Sequence, residues 1–210
     1  MGDGSLRLGL RAVPDWFRRH GWGQAWFLIA VGSAAVVGTS YVLTHSYPAS
    51  YGGLFLEVIE RVRRDGFAYP THIPGFTNQG IPWAYPPLVF YLDALLTRLL
   101  PLSGLELARF LPPAFFVLSI VPYFRLATRC LGSRRRAGVA SFIYAVTPAA
   151  FEWIITGGGV IRAPALLLAL TGLYTGVNLF DGGGWEWLLA STVLFGLTLL
   201  SHPVLAFGFG

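Results

Sequence analysis

Tyr85-Pro86-Pro87-Leu88-Val89-Phe90-Tyr91-Leu92-Asp93-Ala94-Leu95-Leu96-Thr97-Arg98-Leu99-Leu100-Pro101 is the stretch whose reading decides the fold. Prolines bracket its apolar run from Leu88 to Leu100 and confine any helix to that interval. At about 1.5 Å per residue such a helix reaches only about 20 Å, whereas the hydrocarbon core of a bilayer is about 30 Å thick. Asp93, Thr97 and Arg98 sit near its middle, where polar groups are costly in lipid. The run is therefore expected to be a re-entrant or surface helix and not a membrane span.

The rest of the chain makes that distinction matter. It is 54% hydrophobic and 12% charged, about half the charge of a soluble domain, and its mean hydropathy is +0.59. The expected class is all-α, a polytopic transmembrane helical bundle. Five segments are long enough, or nearly so, to span: 26–45, 107–130, 137–155, 162–180 and 186–206. The first follows an arginine-bearing arm, residues 1–25 with Arg7, Arg11, Arg18 and Arg19, and reads as a retained anchor. All 15 basic residues are arginine. They cluster at predicted helix ends, so the basic pI near 9.7 points to membrane topology and not to nucleic acid. The single Cys130 excludes an intramolecular disulfide and a cysteine metal site.

Arginine placement sets the orientation. Positive charge favours the cytosolic side, which places the arm and Arg125, Arg129 and Arg134-Arg135-Arg136 inside. Both groups fall inside only if Leu88–Leu100 does not cross. The N-terminus is then cytosolic, an outer loop covers 46–106, and the protein is a multi-pass component of the cell membrane. Residues 26–210 form one transmembrane part. Because the chain stops inside the apolar run Ala206-Phe-Gly-Phe-Gly210, it is expected to be the N-terminal part of a longer protein.

The outer loop is expected to carry two juxtamembrane helices. Over Gly53 to Asp65, Leu54, Phe55, Val58, Ile59 and Val62 share one face, with Glu57, Glu60, Arg61 and Arg64 opposite. The second helix is Leu88–Leu100, reached through a Pro/Gly/aromatic connector. The candidate site residues gather on this predicted outer side. Glu57 and Glu60 are the first carboxylates after the first span, suited to a catalytic base, although each has an arginine four residues on that suits a solvated ion pair. His72 lies in the connector, where loop histidines bind substrate or donate protons, or are simply solvated. Trp83 and Tyr85 suit an interface. Asp93 is an acid on an apolar helix, where the plainer reading is a structural hydrogen bond or a pairing with Arg109. Thr156-Gly-Gly-Gly-Val-Ile-Arg162 combines a glycine-rich turn with an arginine at a helix start, a setting that binds anions or serves only as a turn. His202, before Pro203, needs a partner in its apolar setting. No Ser/His/Asp order, HExxH or metal-ligand spacing occurs, and a divalent cation is left open.

Arranged in this way, Tyr51-Gly-Gly-Leu-Phe-Leu-Glu57, Tyr85-Pro-Pro-Leu88, Ala108-Arg-Phe-Leu111 and Leu126-Ala-Thr-Arg-Cys-Leu-Gly132 resemble the GT-C superfamily of membrane glycosyltransferases. That superfamily has a long outer loop after the first span, with an acid near its start. Here Gly52-Gly53 occupies the place, so either Glu57 takes the role or the chain is a non-catalytic relative. The resemblance implies inverting transfer of a sugar from a polyprenyl-phosphate carrier to an acceptor on the outer face. Glu57 or Glu60 would be the base, Arg162 and His202 would neutralise the leaving phosphate, and Trp83 and Tyr85 would stack on sugar or lipid. A transporter and a non-catalytic membrane subunit are the alternatives. Polar groups gathered at one face disfavour transport, which tends to place charges at mid-membrane.

Overall fold

A computed structural model describes residues 15–156 and 158–208, with side chains from residue 21 onward. Arg7 and Arg11 of the predicted arm, and Gly157 of the glycine turn, lie outside the described residues. The helices are α1 (Asp15–Thr44), α2 (Gly52–Arg64), α3 (Leu88–Leu99), α4 (Gly104–Leu131), α5 (Arg134–Val146), α6 (Pro148–Ile155), α7 (Gly159–Phe180), α8 (Trp185–Ser201) and α9 (Pro203–Gly208). The only strands among the described residues are β1 (His72–Ile73) and β2 (Ile81–Pro82), an antiparallel pair in the α2–α3 connector. The expected all-α helical bundle is what forms.

Among the described residues, three helices are long and apolar enough to cross a membrane: Gly21–Thr44, Gly104–Leu131 and Gly159–Phe180. At 12 residues, α3 falls short of that length. The run 137–155, expected as one span, is α5 and α6 bent by 55° at a break, a pair that together is long and apolar enough for one broken span. The cause is Pro148, which bars the preceding Thr147 from helical geometry and leaves it extended at φ −78°, ψ 117°. Pro203 does the same to His202 and ends α8 after 17 residues.

Local chemistry fixes the turns. Ser103 and Glu106 form a reciprocal capping box that starts α4. Gly132, at φ 60°, takes the left-handed position that closes α4. Ser133 then caps α5 by accepting from the Arg136 amide. This two-residue reversal places Arg134 beside the start of the anchor helix, where its Nη2 donates to Gln24 Oε1 at 3.1 Å.

Small residues bring the helices close. A Cβ on Gly138 of α5 would stand 2.6 Å from Trp26 Cβ and 2.8 Å from the Gly23 carbonyl oxygen. A Cβ on Gly38 of α1 would meet Pro113 of α4 at 2.8 Å. Polar ties cross the remaining seams. Arg109 donates to the Val42 carbonyl at 2.8 Å, Arg129 to Asn178 Oδ1 at 2.6 Å, and Ser191 to Thr175 at 3.0 Å. Arg109 and Asp93, one of the pairings open to that acid, do not pair: Arg109 Nη2 donates to the Val42 carbonyl at the end of α1.

Two apolar cores result. One lies between α1, α4, α5 and α7 around Phe116, Ile120 and Ala163. The other lies between α2, the hairpin and α3 on the N-terminal end of α7, around Val58, Ile59, Phe90 and Ile161. The loop helices are thus bound to the end of α7 that carries Arg162.

Gly138→Val should destabilise the fold by roughly 1–3 kcal/mol through overpacking, read as a lower unfolding temperature in detergent. Gly176→Ala, where an added Cβ meets nothing within 4 Å, should hold or slightly raise it.

Candidate functional site

The second core ends in a cluster of aromatic rings. Phe55 of α2 lies 5.7 Å from Phe90 and 6.1 Å from Tyr85, centroid to centroid, and Trp83 lies 5.8 Å from Tyr85. A chain of hydrogen bonds sets their order. Trp83 Nε1 donates to the Tyr69 hydroxyl at 2.9 Å, and that hydroxyl donates to the Tyr85 carbonyl at 2.7 Å. Trp83 is thereby a half-buried structural member of the cluster. Tyr85 stands at its edge, with its ring 6.4 Å from that of His202.

His202 is placed by the proline that follows it. The break between α8 and α9 leaves its Nδ1 accepting from the Leu205 amide at 3.3 Å, so Nε2 carries the proton of the neutral ring. Arg162, in the first turn of α7, spreads its guanidinium 4.1 Å from the Trp153 ring centroid and donates to the Trp153 carbonyl at 3.3 Å. Its charge reaches Tyr85, Tyr51 and His202 electrostatically. Burial pushes the Tyr85 hydroxyl above its ordinary range, and the Arg162 charge acts against that rise. A cation, a neutral imidazole N–H and a phenol thus gather at one end of the bundle, a set that can hold an anionic oxygen.

The carboxylates lie elsewhere. Glu57 is two residues from Phe55, about 200° round the helix. It lines a separate open hollow of about 540 Å³ with Tyr47, Gly53 and Phe76, and it accepts from Arg61 at 3.2 Å. Glu60 faces Arg63 at 2.6 Å and Arg64 at 3.5 Å. Its first partner is therefore three residues on, not four as expected. The Arg63 hydrogen bond holds the Glu60 carboxyl below its usual range. His72 is exposed on the hairpin, 3.4 Å from Thr71 Oγ1 and apart from the cluster. Among the described residues no three of His, Cys, Asp and Glu gather in a metal-binding arrangement.

Asp93 is 1% exposed, and its Oδ2 has no hydrogen-bond partner among the described residues. Burial pushes its carboxyl up to about 8, so it is a neutral acid at pH 7. Tyr51, Tyr69 and Trp153 shape the cluster without having been singled out in the sequence. Tyr51 and Phe55 at helical spacing are the one local signal, and nothing nearby marks the Tyr69 hydrogen bonds.

Residues 84–208 match the family model described as dolichyl-phosphate-mannose-protein mannosyltransferase. The match covers more than half of the chain and contains Tyr85, Asp93, Arg162 and His202, with Glu57 and Glu60 before it. No curated protein and no solved structure matches the chain.

Asp93 gives a pH signature. An unfolded chain releases this proton near 3.8 and the folded chain near 8. Across that window the folded state holds the extra proton, so stability falls as pH rises. Unfolding temperature in detergent between about pH 5 and about pH 8 should drop more for the parent than for Asp93→Asn. Parallel curves would remove Asp93 as the cause.

Proposed function

Because the chain belongs to the dolichyl-phosphate-mannose-protein mannosyltransferase family, and is thus a multi-pass, glycosyltransferase-like membrane protein, we propose that it transfers a sugar from a polyprenyl-phosphate carrier to an acceptor hydroxyl. The transfer takes place on the outer face of the cell membrane, with the N-terminus cytosolic. The observation that carries this reading is the convergence of Tyr85, Arg162 and His202 at one end of the bundle.

In the step itself the acceptor oxygen bonds to the sugar's anomeric carbon while the bond from that carbon to the phosphate oxygen breaks. The phosphate leaves with the electron pair. Arg162 and the His202 Nε2–H stabilise it there, where charge grows most in the transition state. The acceptor proton passes to Glu57, whose ordinary ion pair with Arg61 leaves its second oxygen free to accept. Glu60, held by two arginines, contributes less. Tyr85 stacks on the sugar or lipid, and Trp83 keeps Tyr85 in place. His72, exposed on the hairpin, meets the substrate only at its periphery, and Asp93, buried on α3, does not face it. The family description names a mannosyl donor and a protein acceptor, so these are the first pair to assay.

The separation of Glu57 from the Arg162 group favours one second reading, a non-catalytic membrane subunit that holds the lipid carrier without turnover. A transfer assay on the full-length protein with labelled polyprenyl-phosphate mannose separates the two. Catalysis predicts product from the parent, loss of transfer at least about 100-fold in Glu57→Gln, in the range of a removed general base, and a raised donor KM in Arg162→Gln. Full activity in Glu57→Gln would reject Glu57 as the base, and donor binding without product in the parent would establish the second reading.

A further inference from the structure

The other end of the bundle holds a concave site that the transfer reaction does not use. Arg125 and Arg129 of α4 and Arg134 of α5 line a hollow of about 400 Å³, opposite Gln24 of α1 and Tyr174 of α7. Arg162 and Tyr174 are twelve residues apart on α7, about 18 Å along the helix, so this hollow is separate from the aromatic cluster.

Its charges are unequal. Asp181, 3.6 Å from Arg129, is the one carboxylate in ion-pair range of the three arginines among the described residues. Arg129 also donates to Asn178, and Arg134 donates to Gln24 while lying 5.6 Å from the Phe124 ring centroid. Arg125 is exposed and has no hydrogen-bond or ion-pair partner among the described residues. The tendency of cytosolic ends to carry arginine accounts for basic residues here. It does not account for three guanidinium groups on a common concave wall beside the apolar surface of Phe27, Val121 and Phe124. Guanidinium forks match phosphate oxygens, and the adjoining apolar wall matches a chain attached to them.

We infer that this hollow binds a phosphate group, seated on Arg125, Arg129 and Arg134. The apolar wall suits a phosphate borne on a membrane lipid, and a soluble phosphate presents the same oxygens. Purified full-length protein in detergent tests both sources by thermal shift, with dioctanoyl phosphatidic acid, dioctanoylglycerol and inorganic phosphate as probes.

Stabilisation by phosphatidic acid but not by dioctanoylglycerol, at least about 10-fold weaker in Arg125→Gln, supports the site and assigns it to lipid. Stabilisation by inorganic phosphate alone, with the same dependence on Arg125, supports the site and assigns it to a soluble ligand. Arg125→Gln removes no hydrogen bond or ion pair present among the described residues, so its unfolding temperature without probe should match the parent. Equal stabilisation by phosphatidic acid and dioctanoylglycerol, no stabilisation by any probe, or unchanged binding in Arg125→Gln would overturn the inference.

Discussion

An apolar helix of 12 residues cannot cover a hydrocarbon core of about 30 Å, and α3 is such a helix because prolines stop it at both ends. The rest of the arrangement depends on that limit. Too short to span by length, α3 packs on α2, and the two share buried Val58, Ile59, Val62, Val89 and Phe90. Each such side chain contributes roughly 1.5–3 kcal/mol when removed from water. Val160 and Ile161 join the same core, so the pair is seated on the start of α7. Tyr85 therefore arrives beside His202 and within electrostatic reach of Arg162, although the three residues are widely separated in sequence.

Much of this was legible from local rules. Apolar length marked the long helices, the spacing of Phe55, Val58, Ile59 and Val62 marked α2, and the prolines marked α3. Convergence of Arg162 and His202 followed from counting spans, because each crossing reverses the end that a residue occupies. Other features depend on how helices rotate against one another, which a linear pattern does not encode. The α2 face that buries Phe55 necessarily turns Glu57 to a different hollow. Arg109 met the Val42 carbonyl because α1 ends beside it, and Asp93 Oδ2 has no hydrogen-bond partner among the described residues. The Thr147–Pro148 break was visible as a residue pair, but apolar continuity across it masked the bend.

The two ends of the bundle have different chemistry. One brings Arg162, His202 and aromatic rings together on the second core. The other carries the hollow lined by Arg125, Arg129 and Arg134 at the α4–α5 reversal, which Gly23 and Gly138 allow to pack close to α1. Membership of a mannosyltransferase family gives the first end its reading as a place for a sugar phosphate, and the loop helices are what complete it.

The non-crossing of α3 is the central claim, and side-specific thiol labelling tests it most directly. In a Cys130→Ser background, single cysteines replace Phe76 before α3 or Leu102 after it, both exposed positions. A membrane-impermeant maleimide is then applied to intact cells. Labelling of both positions from the outside is the predicted result. Labelling of one and protection of the other would show that α3 crosses the membrane, and would separate Tyr85 from Arg162 and His202.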